Sequence, residues 1–218
     1  MTAPRVVVHH DETALARAVA ESLADIVIAP GVHHIVLTGG GVGTRVLAEL
    51  AGLDVAIDWG TVHLWWGDER FLPAGDPERN ETGARAALVG LLPIAEDHVH
   101  PMPADMGQGV AQAAESYADE LARASTDGFV PDFDVVLLGM GPEGHVGSLF
   151  PGAPALHAAG STVAVEDSPK PPPTRISLTL PAFRSGRRVW VVATGDAKAD
   201  AAAAAVREGA SEQEWPAA

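Results

Sequence analysis

The chain has 218 residues, 47% of them apolar and 20% charged, which is enough for one well-cored domain and short of two. Its formal charge of −15 disfavours a nucleic-acid partner, and no run approaches the roughly 18 apolar residues of a membrane span. With no cysteine there is no disulfide framework, thiolate nucleophile or cysteine-bound zinc, and the first ten residues lack an export signal, so a cytoplasmic protein is expected.

In chain order, residues 6–9 read as a strand, and Asp11 ahead of Leu15, Val19, Leu23 and Ile26 reads as the cap of an amphipathic helix. Residues 34–38 are a β-branched run ending in Gly39-Gly40-Gly41, with Thr44 and Arg45 starting a helix. Residues 62–66 form a strand, and residues 80–91 and 108–124 carry helical patterns. The strand-to-glycine pattern recurs at 134–138, ending in Gly139-Met140-Gly141, and at 189–194, ending in Gly195-Asp196 before a helix over 197–208. Pro-Lys-Pro-Pro-Pro at 169–173 is an ordered loop, residues 176–180 alternate as a strand after Arg175, and the tail at 209–218 is expected to fray. This alternation predicts an α/β doubly wound, mostly parallel sheet with helices on both faces, and a ligand crevice at the carboxyl ends of the strands.

Four segments near that edge could carry chemistry. Gly39, Gly40 and Gly41 offer backbone N–H groups to an anion, or form no more than a tight βα turn. Gly139-Met140-Gly141-Pro142-Glu143-Gly144 has the glycine spacing of a dinucleotide motif. Pro151 and Gly152, however, leave no room for the long crossover helix such a motif needs. His145 follows this turn with Ser148 three residues on, as if on one face of a short helical turn. It is either a general base or a structural histidine.

Asp68, Glu69 and Arg70 follow an aromatic strand and place two carboxylates beside a phosphate-binding fork, or simply form a salt-bridged loop. Only two lysines occur, Lys170 and Lys198. The second stands at a helix N-terminus, where the helix dipole disfavours a cation and a bound anion would explain it. The histidines show no metal-ligand pattern; His98 and His100 alone do not make a site, so no metal is expected.

Taken together, Trp66-Gly67-Asp68-Glu69-Arg70, the run from Leu138 through His145 to Gly152, Pro172-Pro173-Thr174-Arg175-Ile176-Ser177-Leu178-Thr179 and Gly195-Asp196-Ala197-Lys198 resemble the 6-phosphogluconolactonase family. That family lies within the sugar-phosphate isomerase and deaminase folds, and the resemblance spans nearly the whole chain.

The resemblance implies a metal- and cofactor-free lactone hydrolase with His145 as general base and Arg70 and Lys198 on the phosphate. The 39–41 loop would line the same pocket, joined by Arg45, Asp68, Glu69, Gly144 and Arg175. Asp68 or Glu69 would orient the base, and Ser148 would position rather than react. Substrate would be a small sugar-phosphate lactone, and the protein a monomer or small homo-oligomer without nucleic-acid or membrane partners.

The sequence departs from the family at Glu143, where Asp is usual, at Gly147, where Ala is usual, in its Gly-Val-Gly-Thr loop and at Arg79. The family commonly continues beyond residue 218, so a final edge strand is expected to be lacking. Two rivals share the fold, an aminosugar-phosphate deaminase and a sugar-phosphate-sensing domain. The acidic loop after the aromatic strand and the lack of a basic DNA-binding segment favour the lactonase.

Overall fold

The computed structural model describes residues 4–218; residues 1–3, the start of the segment scanned for an export signal, lie outside the described residues. Five strands form a parallel sheet in the order β4-β2-β1-β5-β8. They are β1 (His33–Leu37), β2 (Val62–Trp66), β4 (Val99–His100), β5 (Phe133–Gly139) and β8 (Val189–Val192). β1 pairs with β2 on one side and β5 on the other, so the strand order reverses between β1 and β5. In an open α/β sheet such a reversal opens a crevice at the carboxyl ends of the two strands. Here those ends are the glycine turns at 39 and 139.

β1 and β5 are almost entirely buried, which accounts for their unbroken apolar sequence. Helix α1 (Glu12–Val27) begins at Asp11, whose side chain accepts from Ala14 N at 2.8 Å, and it packs on α2 (Gly40–Ala51). α3 (Asn80–Ala87) and α4 (Val110–Arg123) follow, and short α5 (Leu180–Arg184) and α6 (Ala199–Ala205) complete the helices of the described residues. Tyr117 of α4 is fully buried, accepts from Trp66 N at 3.0 Å and locks that helix to the end of β2.

The parallel sheet with its helices is the three-layer architecture read from the sequence, but a second sheet accompanies it. β3 (Asp68–Arg70), β7 (Arg175–Leu178) and β6 (Thr162–Val165) pair antiparallel in the order β3-β7-β6. Strand periodicity turns Asp68 and Arg70 to one face of β3 and Glu69 to the other.

Several local expectations are corrected. Residues 6–9 form no strand, because Val6, Val7 and Val8 find no partner strand and remain exposed. α2 begins at Gly40, so Thr44 and Arg45 lie in its second turn and the glycines form its first. The chain after Gly141 is not helical. Gly144 and Gly147 have positive φ, and Val146 bridges Met140 and Leu149, so Ser148 shares no helical face with His145.

The tail is docked rather than frayed. Gly152 N donates to Gln213 O, Ala217 N donates to Gly144 O, and Trp215 packs on Gly144. The edge strand β8 is also less covered than its apolar sequence suggests, with Val189 and Val191 exposed.

Candidate active site

Two strand ends meet at the switch point. Thr38 Oγ1 accepts from Gly139 N at 2.9 Å, stitching the turn after β1 to the turn after β5. At Gly39 an added Cβ would stand 1.9 Å from the Asn80 side chain, so the approach of α3 to this turn requires glycine. Gly40 and Gly41 line an open depression with Thr44, Arg45 and Ala48. They present the free N–H groups of the first turn of α2.

His145 is carried by the second turn. Its side chain is 15% exposed, and its ring packs on Phe150 with centroids 4.4 Å apart. A Cβ on Gly141 would lie 2.1 Å from the imidazole, so this glycine makes room for the base. Burial pulls the His145 pKa below its ordinary value, and nearby Lys170 pulls the same way. Glu143 and Asp68 oppose them without reversing the direction. The ring is therefore neutral at neutral pH, the state a general base requires.

The carboxylate beside it is neither of those expected. Glu143 Oε1 lies 3.3 Å from His145 Nδ1, at ion-pair distance but outside hydrogen-bond geometry, and Nδ1 is buried without another partner. Glu143 in turn receives Lys170 Nζ at 2.9 and 3.0 Å. Lys170 has no role assigned from the sequence alone. The signal was its rarity, one of two lysines in a chain of charge −15.

Asp68 is buried, and its Oδ2 accepts from Ser148 Oγ at 2.8 Å. Glu69 is not brought to the crevice. Fully buried on the other face of β3, it accepts from Arg70 N, Asn80 N and Glu81 N and lies 3.7 Å from Arg79 Nη2. Burial pushes its carboxyl up to about 7, while those N–H donors and Arg79 pull it down. Its work is to cap α3, so the sequence departure at Arg79 supports a buried carboxylate.

Among the basic residues, Arg70 donates from Nη1 to Glu78 O and keeps a buried Nε without a partner. Lys198 ends the short turn Asp196–Lys198 and makes no ion pair among the described residues. Burial and the neighbouring charge of Lys170 hold its pKa below the ordinary lysine value. Arg45 is engaged, donating from Nε to Glu12 Oε1 at 2.8 Å. Arg175 is buried, with Nε on Pro172 O and Nη2 on Lys170 O and Pro171 O. Among the described residues, no three His, Asp or Glu side chains converge as metal ligands.

A buried, neutral histidine on a glycine turn at the switch point, with a lysine reaching it through Glu143, makes this α/β crevice a candidate site for a small anionic ligand. Residues 10–218 match the family described as glucosamine-6-phosphate isomerases/6-phosphogluconolactonase, and the chain belongs to that family.

The chain is 50% identical over 228 residues to the 6-phosphogluconolactonase of Streptomyces coelicolor, covering 99% of this chain and 87% of that one. To the 6-phosphogluconolactonase of Mycobacterium tuberculosis it is 51% identical over 185 residues, covering 83% and 75%. Its fold superimposes on the 6-phosphogluconolactonase of Trypanosoma brucei with a TM-score of 0.82 at 27% identity, covering 97% and 89%. A monomeric glucosamine-6-phosphate deaminase also gives 0.82, over 97% of this chain and 90% of that one. At 16% identity that likeness extends to the fold alone.

Proposed function

We propose that this chain hydrolyses 6-phospho-D-glucono-1,5-lactone to 6-phosphogluconate, the lactone-opening step of the oxidative pentose phosphate pathway. The observation that carries this reading is His145, neutral and enclosed at the β1/β5 crevice with a carboxylate at Nδ1. The half-identity to relatives named 6-phosphogluconolactonase supplies the substrate.

With the Nδ1 proton beside Glu143, Nε2 is the basic nitrogen. It takes a proton from water as the water attacks C1 of the lactone, and the resulting imidazolium returns that proton to the departing ring oxygen. Backbone N–H groups of the glycine turns face the developing oxyanion. Phosphate held by Arg70 and Lys198 fixes the far end of the substrate, which turns a bimolecular encounter into an oriented reaction. Asp68, Ser148, Gly144 and the 39–41 loop shape the pocket between these ends. No step calls on a metal, an organic cofactor or a covalent intermediate.

In this reading one domain over 1–218 carries the activity as a monomer or small homo-oligomer in the cytoplasm, without nucleic-acid or membrane partners. The formal charge of −15 supports the reading that nucleic acid is not a partner.

Lactone hydrolysis and ammonia release from glucosamine 6-phosphate, measured side by side, test the reading. Expected is fast hydrolysis with no ammonia; ammonia release without hydrolysis would overturn it in favour of a deaminase. Replacing His145 by Ala should lower kcat about 10² to 10⁴-fold after subtraction of the spontaneous rate, with little change in KM. Because the base must be neutral, activity should persist to below the ordinary histidine pKa and then fall as protonation begins.

A further inference from the structure

Lys170 sits on the proline loop between β6 and β7, and that loop is held from several sides. Arg175 donates to the carbonyls of Lys170, Pro171 and Pro172 at 3.0 to 3.1 Å. Ser168 N donates to Pro173 O at 3.0 Å, and Ser168 Oγ donates to Lys170 O at 3.1 Å. A backbone pinned in this way sends the lysine side chain across to Glu143, where Nζ reaches both carboxylate oxygens. Glu143 Oε1 meets both the ammonium, at 2.9 Å, and His145 Nδ1, at 3.3 Å.

We propose that Lys170 is a positioning residue, balancing the charge of Glu143 so that this carboxylate orients the His145 ring without converting it to an imidazolium. The proposal rests on reading His145 as the base. A carboxylate next to an imidazole has two effects that conflict in such a site. It can accept the Nδ1 proton, which fixes the tautomer and leaves Nε2 basic, and its charge stabilises the protonated ring. A general base needs the first effect and is disabled by the second. An ammonium held on the same carboxylate offsets part of its field at the ring while leaving oxygen lone pairs for Nδ1. The same ammonium restrains glutamate, whose side chain has one more rotatable bond than aspartate.

The charged groups that bear on His145 are Glu143 on its own turn, Lys170 on the proline loop and Asp68 on β3, with the Phe150 ring packed against it. Of these, Lys170 is the one cation, and it acts in the same direction as burial. Arg175 and the prolines then gain a purpose beyond packing, because they fix the backbone from which the counter-charge is delivered.

Titrating the His145 ring by NMR, with its resonance assigned by absence in His145→Gln, tests this directly. The comparison is among the parent, Lys170→Met, Lys170→Arg and Glu143→Gln. Lys170→Met should raise the ring pKa by about half a pH unit, the coupling of a part-exposed pair. Glu143→Gln should lower it, and Lys170→Arg should stay near the parent. The fractional loss of kcat/KM in Lys170→Met should grow as the pH falls.

An unmoved or lowered titration in Lys170→Met would overturn the proposal. So would a loss of activity equal at every pH, which would mean that Lys170 contacts substrate or only braces the loop. Lys170→Gln replaces the Met variant should that one not fold. Because the titration reads the imidazole itself, it gives its answer whether or not the lactone proves to be the substrate.

Discussion

Ser148 Oγ donates to Asp68 Oδ2 at 2.8 Å, joining the turn that carries His145 to the start of β3, 80 residues earlier in the chain. Both groups are buried, Ser148 completely, so neither can turn to water if the other is lost. The second Asp68 oxygen has only a long contact with Asn80 Nδ2, at 3.3 Å. Replacing Ser148 by Ala leaves a buried carboxylate oxygen unpaired and should cost about 1–3 kcal/mol of stability, read by urea denaturation. A cost under about 0.5 kcal/mol would show that water takes the place of the hydroxyl. Turnover should fall less than in His145→Ala, since Ser148 holds Asp68 rather than a reacting atom.

The far end of the sheet predicts an acid response. His34 and His63 lie at the amino ends of β1 and β2, where His63 stacks on His34, His98 and His100 at 4.9, 4.2 and 5.3 Å. Burial, then the neighbouring imidazoles, pull the His63 pKa down to about 4, with Asp97 opposing. Around this ring His100 also meets Glu120, and His34 meets Trp65. In the folded state the neutral ring is favoured, whereas in the unfolded chain it binds a proton near pH 6.5. Between those values the unfolded state holds more protons, so stability is lost as pH falls from about 6.5 to about 4 and levels off below. The melting temperature of the parent should fall over that window, and that of His63→Gln should fall less. Equal slopes would place the acid response elsewhere.

The sequence was most legible where local chemistry and tertiary position agree. The continuous apolar runs of β1 and β5 and the Asp11 cap each carry their own physical signal, and the structure forms them within a residue or two of expectation. The misses share a cause, which is dependence on a partner distant in sequence. Val6, Val7 and Val8 have strand character but nothing to pair with, whereas the charged triplet 68–70 pairs because β7 supplies an edge. Had that triplet been read as a strand, its period of two would have separated Glu69 from Asp68 and Arg70. Glu143 is the exception, a neighbour only two residues from the base, which the turn at Gly144 rather than a helix brings alongside the ring.

The cations make the sharpest functional prediction. Arg70 shares the face of β3 that carries Asp68 and keeps a buried, unpartnered Nε, while Lys198 makes no ion pair among the described residues. In a chain of charge −15, two cations without a carboxylate partner are poised for an anion from outside. A charge-assisted contact is worth about 1.5–3 kcal/mol, so Ala at either position should lower kcat/KM for the phosphorylated lactone roughly 10 to 150-fold. Against unphosphorylated gluconolactone the same variants should lose little, because the binding energy they supply is already absent. Equal losses on both substrates would mean that these residues support the fold or touch the lactone itself. The phosphate would then have to be sought at Arg45 or Arg175. Both begin at a disadvantage, since Arg45 must first leave Glu12 and Arg175 must release three loop carbonyls before either can take an anion.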